Sequence, residues 1–281
     1  MTTAPVLTFH DSNTIPQLGY GVWQVEDDVA EKVVTQAFEA GFRHIDTAKI
    51  YGNEAGVGRA VERSGLSRED IFITTKLWNA EQGYDSTLKA FESSMERLGL
   101  ETLDLYLIHW QQPKQDKYVD TWKALIELQK RGRVRSIGVS NFTQEGLQRL
   151  IDETGVTPVI NQIELHPFFN QAELRAFGAS RGILTQAWSP LGQGGELLDH
   201  PVISEIAEKH QASPAQVVIA WHLALGNVVI PKSVTESRIQ ENYAALDVAL
   251  SDADIKAINA LDRTAGGQGR IGPDPEVSDF A

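Results

Sequence analysis

The segment HIDTAKIYGNE, residues 44–54, ends a short β-favouring run on a carboxylate, Asp46, and places a phenol, Tyr51, five residues later. The pair can be a helix cap and a half-buried ring, or two groups of a proton-transfer site. Two further apolar runs also end on ionisable side chains: ITTKLW carries Lys76 and LYLIHW carries His109. A strand of the core ordinarily runs out into turn residues. A carboxylate, an ammonium and an imidazole at the ends of three successive runs are harder to dismiss than any one of them.

The chemistry follows from the set. A free tyrosine titrates near pH 10 or so and donates protons slowly at neutrality. A cation beside the phenol favours phenolate and lowers that value. Lys76 supplies such a charge, and Asp46 can hold Lys76 protonated and oriented. Tyr51 then serves as a general acid or base tuned toward the working pH. His109 donates a hydrogen bond to the same substrate oxygen. The arrangement suits protonation of a carbonyl oxygen while a hydride reaches the carbon. It does not suit hydrolysis, because no nucleophile is evident. The histidines His10, His44, His200, His210 and His222 read as hydrogen-bonded core or surface residues.

Elements must bring these groups together. Eight short apolar runs recur: QLGYGVW, FRHIDTA, IFITTKLW, LDLYLIHW, VRSIGVSN, VINQIEL, ILTQAWSP and NVVIPKS. Helical spacing lies between them. Leu88, Phe91, Met95 and Leu98 share one helix face, as do Val29, Val33, Ala37 and Phe38. Ser213-Pro214 with Gln216 forms a capping box with proline in the first turn, and Asn170 with Glu173 resembles one. Gly41, Gly65, Gly99, Gly132 and Gly155 follow helical patterns as C-terminal caps do. Strand and helix alternating eight times within 281 residues predicts a (β/α)8 barrel, a TIM barrel. Periodicity alone leaves a doubly wound open sheet as the alternative. TFHDSNTIP predicts a short N-terminal β-hairpin turning at Asp11-Ser12-Asn13, and the residues from Thr264 onward read as a C-terminal loop or tail. No linker, repeat or low-complexity block interrupts residues 1–281, so one domain is expected. In a parallel barrel the active site lies at the C-terminal ends of the strands, where Asp46, Lys76 and His109 fall. Ser140-Asn141, Gln162 with Glu164, and Lys232-Ser233 end later runs.

The bulk numbers set bounds. Hydrophobic residues make up 42% and charged residues 22%, the composition of a soluble globular protein. A net charge of −13 argues against nucleic acid or an anionic membrane surface as partner. With no cysteine, disulfides, thiolate catalysis and Cys-ligated metals are excluded. MTTAPVLTFHDSNTIP lacks a basic n-region and an apolar core, so no signal peptide is read and a cytoplasmic location is expected. GQGRIG at 267–272 fits GxGxxG but follows no strand and is succeeded by Pro273, so it reads as a loop. GVSNF approaches a nucleophile elbow, but Phe142 stands at the last glycine. HExxH, EF-hand and Walker A patterns are lacking, and no metal is expected.

FRHIDTAKIYGNE, ITTKLW, LYLIHW, SIGVSNF, NQIELHP and VIPKS followed by RIQEN resemble, in order and spacing, the signature segments of the aldo-keto reductases. The likeness covers nearly the whole chain and is nearest the compact bacterial 2,5-diketo-D-gluconate reductases. It implies an NADPH-dependent carbonyl reductase on a (β/α)8 barrel. The family's catalytic tetrad falls on Asp46, Tyr51, Lys76 and His109, with Tyr51 as proton donor. The resemblance places the nicotinamide carboxamide on Ser140, Asn141 and Gln162, and stacks the ring on Trp188, where many relatives have tyrosine. Ser189, Leu191, Gln193 and Gly194 match the stretch along the pyrophosphate. Lys232, Ser233, Val234 and Arg238 match the grip on the adenosine 2′-phosphate, and Glu241 with Asn242 the adenine contacts. Lysine, serine and arginine together offer charge-assisted donors to a phosphate dianion, which favours NADP over NAD. Trp23, Trp78 and Trp110, with His109, would wall the substrate pocket. The expected partner is a small carbonyl compound such as a dicarbonyl or keto-sugar, and the chain is expected to be a monomer.

The chain departs from the family in places. The usual HWP is HWQQP here, with Gln111 at the proline position, so the stretch leading to Trp122 beside the substrate pocket is expected to run differently. Thr235 stands where some relatives carry a second cation near the 2′-phosphate, which loosens the NADP preference. Two other functions stay open on the residues: a Schiff-base lyase using Lys76, and a non-catalytic subunit that senses NADPH.

Overall fold

In the computed structural model, residues 2–278 and 280 are described. The hairpin comes first. β1 (Val6–Thr8) pairs antiparallel with β2 (Thr14–Pro16). Its turn uses Ser12 at φ 72° and closes with the Asp11 carboxylate accepting from the Asn13 amide at 3.0 Å. Such Asx contacts are why aspartate and asparagine suit turns.

The eight apolar runs become β3 (Tyr20–Gly21), β4 (His44–Asp46), β5 (Phe72–Leu77), β6 (Leu103–Ile108), β7 (Val134–Ser140), β8 (Ile160–Glu164), β9 (Leu184–Trp188) and β10 (Val228–Val229). They form one parallel sheet in sequence order. A parallel bridge from Leu18 to Val229, with the Gly19 amide donating to the Val229 carbonyl at 2.9 Å, joins its two ends. The sheet therefore closes, and the open-sheet alternative falls away.

Between the strands run α1 (Asp27–Ala40), α2 (Glu54–Arg63), α3 (Tyr84–Leu98), α4 (Tyr118–Lys130), α5 (Gln144–Thr154) and α6 (Ala172–Ala179). The β9–β10 connection holds two helices, α7 (Pro201–His210) and α8 (Pro214–Ala224). After β10 come α9 (Glu236–Tyr243) and α10 (Asp252–Asn259). Phe91, Met95 and Leu98 of α3 are buried against the sheet, each worth about 1.5–3 kcal/mol of transfer free energy. In α1 the buried face is Ala30, Val33, Val34, Ala37 and Phe38. Val29 is 37% exposed, so the expected stripe shifts by one residue at the helix start. The Ser213–Gln216 capping box forms with Pro214 in the first turn. The expected Asn170–Glu173 box does not. Gln171, left-handed at φ 46°, is the N-cap of α6, and Asn170 Oδ1 instead accepts from the Ala172 amide at 3.0 Å. The five cap glycines all have φ between 65° and 115°.

The hairpin supplies Phe9 and Ile15 to a cluster with Phe72, Leu105, Leu107, Ile160 and Val228 of the barrel strands. Above it the interior turns polar. His44 Nε2 lies 3.1 Å from Thr74 Oγ1, and the next inward residues of the same two strands are Asp46 and Lys76. This layering follows from the two-residue repeat of a strand. A Cβ on Gly19 would lie 2.5 Å from His44 Nδ1, so only glycine lets the ring pack there.

Candidate active site

Asp46 ends β4 and Lys76 lies near the end of β5, both almost wholly buried. Lys76 Nζ donates to Asp46 Oδ1 at 2.5 Å and to the Thr47 carbonyl at 2.9 Å. The other Asp46 oxygen accepts from Gln162 Nε2 at 2.7 Å and Gln186 Nε2 at 3.3 Å. A buried ion pair persists when its remaining lone pairs are filled in this way. Burial alone would lower the Lys76 pKa, but the Asp46 carboxylate and Tyr51 together outweigh it, and the net shift is upward. Lys76 is therefore a held cation.

Tyr51 follows in a single turn of 3-10 helix, Lys49–Tyr51, closed by Gly52 at φ 70°. That turn carries the ring back toward Lys76, whose Nζ lies 5.1 Å from the ring centroid. His109, immediately after β6, meets the Tyr51 ring edge-on at 5.7 Å between centroids. Asp46, Tyr51, Lys76 and His109 thus converge from three strands and one loop. The Tyr51 pKa is raised by burial, with Lys76 offsetting part of the rise. The expected net lowering toward neutrality does not occur, because desolvation of the ring outweighs the cation. Burial and the Lys76 charge hold the His109 pKa well below the ordinary histidine value. The imidazole is neutral near pH 7, and a neutral ring still has one N–H to donate.

Trp78 meets His109 at 5.3 Å between ring centroids. Trp78 and Trp110 both contact the ring of Phe280, at 5.9 and 5.1 Å. Trp23 stands 45% exposed and has no ring contact among the described residues. Gln111, the residue at the proline position, turns its amide oxygen to the Thr143 amide at 3.0 Å, bracing the start of α5. Trp122 does not approach this cluster. It is fully buried in α4, its indole N–H donating to the Val156 carbonyl at 3.2 Å.

The residues named for a nicotinamide lie side by side. Ser140 Oγ donates to the Gln162 carbonyl at 2.8 Å. Asn141, left-handed at φ 58°, donates to the His109 carbonyl at 2.9 Å and accepts from Trp188 Nε1 at 2.8 Å. With its N–H satisfied, Trp188 has its ring face left for stacking. Ser189, Gln193 and Gly194 all have positive φ within the loop after β9, which also carries Leu191. A cavity of about 430 Å³ borders Asn141, Trp188, Glu164 and residues 273–276; Tyr51, Lys76 and His109 do not line it, so it adjoins the reacting groups rather than enclosing them.

The phosphate candidates gather at α9. The helix starts at Thr235 with no side-chain cap, so its first N–H groups are left for another acceptor. Lys232 and Arg238 are exposed there, without ion-pair partners among the described residues. Val234 is 52% exposed, and the Ser233 hydroxyl accepts from the Thr235 amide at 3.1 Å. Glu241 is half-buried and Asn242 buried. Two cations and an uncapped helix start fit a dinucleotide phosphate.

Several contributors escaped the sequence reading. Gln186 reaches Asp46 from the middle of β9, and its place two residues before Trp188 was the available signal. Asn79, Gln112 and Phe280 meet at the barrel mouth without any local pattern to announce them. Among the described residues no helix is long and apolar enough to cross a membrane.

Comparison with known proteins agrees with this architecture. Residues 17–263 match the model of the aldo/keto reductase family. An aldo-keto reductase of Mycolicibacterium smegmatis is 54% identical over 277 residues, spanning 99% of each chain. Methylglyoxal reductase DkgA of Escherichia coli K12 is 49% identical over 277 residues, spanning 98% of each. The crystal structure of a Gox0644 mutant in complex with NADPH superposes with a TM-score of 0.94 at 51% identity, covering 99% of this chain and all of that one. With the closed eight-stranded barrel and the full-length match in hand, the chain belongs to the aldo/keto reductase family.

Proposed function

We propose that this chain is an NADPH-dependent reductase of small carbonyl compounds, dicarbonyls such as methylglyoxal or keto-sugars such as 2,5-diketogluconate. The observation that carries the reading is the Asp46–Lys76 ion pair set against Tyr51 and a neutral His109. NADPH, when bound, supplies the hydride. Lys232, Ser233 and Arg238 hold its 2′-phosphate, Ser140, Asn141 and Gln162 its carboxamide, and Trp188 its ring. Val234, Glu241 and Asn242 flank the adenosine, and Ser189, Leu191, Gln193 and Gly194 the pyrophosphate.

His109 and Tyr51 donate hydrogen bonds to the carbonyl oxygen, polarising it. Tyr51 then gives its proton to the developing alkoxide, and Lys76 stabilises the phenolate left behind. Asp46 keeps Lys76 charged and aimed. Trp78 and Trp110 confine the substrate beside these donors. A lyase reading would need a neutral, nucleophilic Lys76, and the Asp46 pair opposes that. NADPH oxidation measured with methylglyoxal, phenylglyoxal, 2,5-diketogluconate and simple aldehydes tests the proposal. Turnover of small dicarbonyls is expected; binding of NADPH with no turnover of any of them would refute it.

A further inference from the structure

Glu164 ends β8 and is 2% exposed. Its two carboxylate oxygens accept from consecutive backbone amides of the C-terminal segment, Ile271 at 2.6 Å and Gly272 at 2.7 Å. His166 Nε2 lies 3.1 Å from the same carboxylate. Short bonds to an ionised acceptor are among the stronger ones in proteins. With the segment undocked, the charge would keep His166 as its remaining side-chain partner, and a buried carboxylate left short of donors is costly.

Gly272 is fitted to this contact. A Cβ there would lie 2.4 Å from the Trp188 ring and 2.9 Å from Glu164 Oε2, so only glycine lets the backbone lie against both. The GQGRIG stretch thus serves close approach to a tryptophan and a carboxylate, not to a phosphate.

Farther along, the same segment is pinned again. The Phe280 carbonyl accepts from Asn79 Nδ2 at 2.9 Å and Gln112 Nε2 at 3.2 Å. Its ring rests on Trp78 and Trp110. One anchorage lies against the tryptophan assigned to the cofactor, the other against the pair assigned to the substrate.

We propose that Glu164 is a positioning residue for substrate selection: by clasping the Ile271 and Gly272 amides it fixes the C-terminal segment so that Phe280 roofs the space beside Trp78 and Trp110 and restricts it to small carbonyls. The selectivity part rests on the carbonyl-reductase reading above. In Glu164→Gln, of equal size but uncharged, amide hydrogen exchange across residues 267–278 should quicken about tenfold, the scale of a weakened hydrogen bond to a charged group. KM for methylglyoxal should rise similarly while KM for the bulkier phenylglyoxal stays level or falls, and kcat should move far less. Gln112→Ala, which removes one of the two side-chain bonds to the Phe280 carbonyl, should alter the two KM values in the same directions if Glu164→Gln fails to fold. Unchanged exchange in the segment, or equal losses on both substrates, would overturn the proposal. Should the unaltered protein reduce no carbonyl, the functional reading fails by itself, and hydrogen exchange still decides whether Glu164 holds the segment.

Discussion

The side-chain amide of Gln162 donates to Asp46 at 2.7 Å across the barrel interior. Gln162 belongs to the set assigned to the nicotinamide, and Asp46 to the set assigned to proton delivery. Gln186, its neighbour in register on β9, reaches the same oxygen at 3.3 Å. Lys76 holds one oxygen of the carboxylate and two glutamines hold the other. β8 and β9 are therefore tied to β4 and β5 through one buried carboxylate, and the orientation of Lys76 depends on both sides of the barrel.

Lys76→Met should move the alkaline limb of the reduction profile upward. Reduction requires protonated Tyr51, so activity falls as pH rises through the Tyr51 pKa. Burial raises that pKa and Lys76 lowers it in part; without the cation it rises further. At neutral pH the phenol becomes a poorer acid, and kcat should drop by roughly 10²–10⁴, the range for general acid catalysis. The pH dependence of kcat for methylglyoxal, compared between the two proteins, measures both effects. A limb that stays in place would mean Lys76 does not act on Tyr51.

Arg238→Ala should weaken NADPH binding by roughly 1.5–3 kcal/mol, the range for a hydrogen bond to a charged group. NADH, which lacks the 2′-phosphate, should be affected far less. Quenching of tryptophan fluorescence by each nucleotide reports both affinities. An equal loss for the two would place Arg238 elsewhere on the cofactor.

Stability should decline on the acid side as the buried histidines take up protons. Burial lowers the pKa of His44 to about 4, with Asp46 opposing and Lys76 reinforcing the shift. The unfolded chain binds this proton near pH 6.5 or so, before the folded one does. The contribution of His44 is thus complete above that value and is lost as pH falls toward about 4, up to about 3 kcal/mol. His222, lowered to about 3 by burial, adds in the same direction. Urea midpoints measured between pH 7 and pH 4.5 or so should fall, and His44→Gln should flatten part of that slope. An identical slope in the variant would remove His44 as a cause.

Strand positions were legible because a parallel barrel buries its strands and so writes them as apolar runs. Their polar ends were legible for the converse reason: Asp46, Lys76 and His109 stand where apolar or turn residues would cost less. Gln186 was passed over because a single glutamine within LTQAW looks like an exposed position, and only closure of the sheet turns it inward. Trp122, at the end of the stretch expected to run differently, is a core residue of α4. Phe280 could not be placed from local pattern, as its carbonyl meets Asn79 across 201 residues of chain. The direction of the Tyr51 shift was also out of reach, because sequence shows the neighbouring cation and not the depth of burial.

The central claim is that Tyr51 delivers the proton. Replacing it with phenylalanine removes the hydroxyl and leaves the residues assigned to the cofactor in place. NADPH oxidation by Tyr51→Phe with methylglyoxal, measured alongside nucleotide binding, is the direct test. Carbonyl reduction should vanish from the assay while NADPH binds as tightly as before; turnover close to that of the unaltered protein would contradict the mechanism.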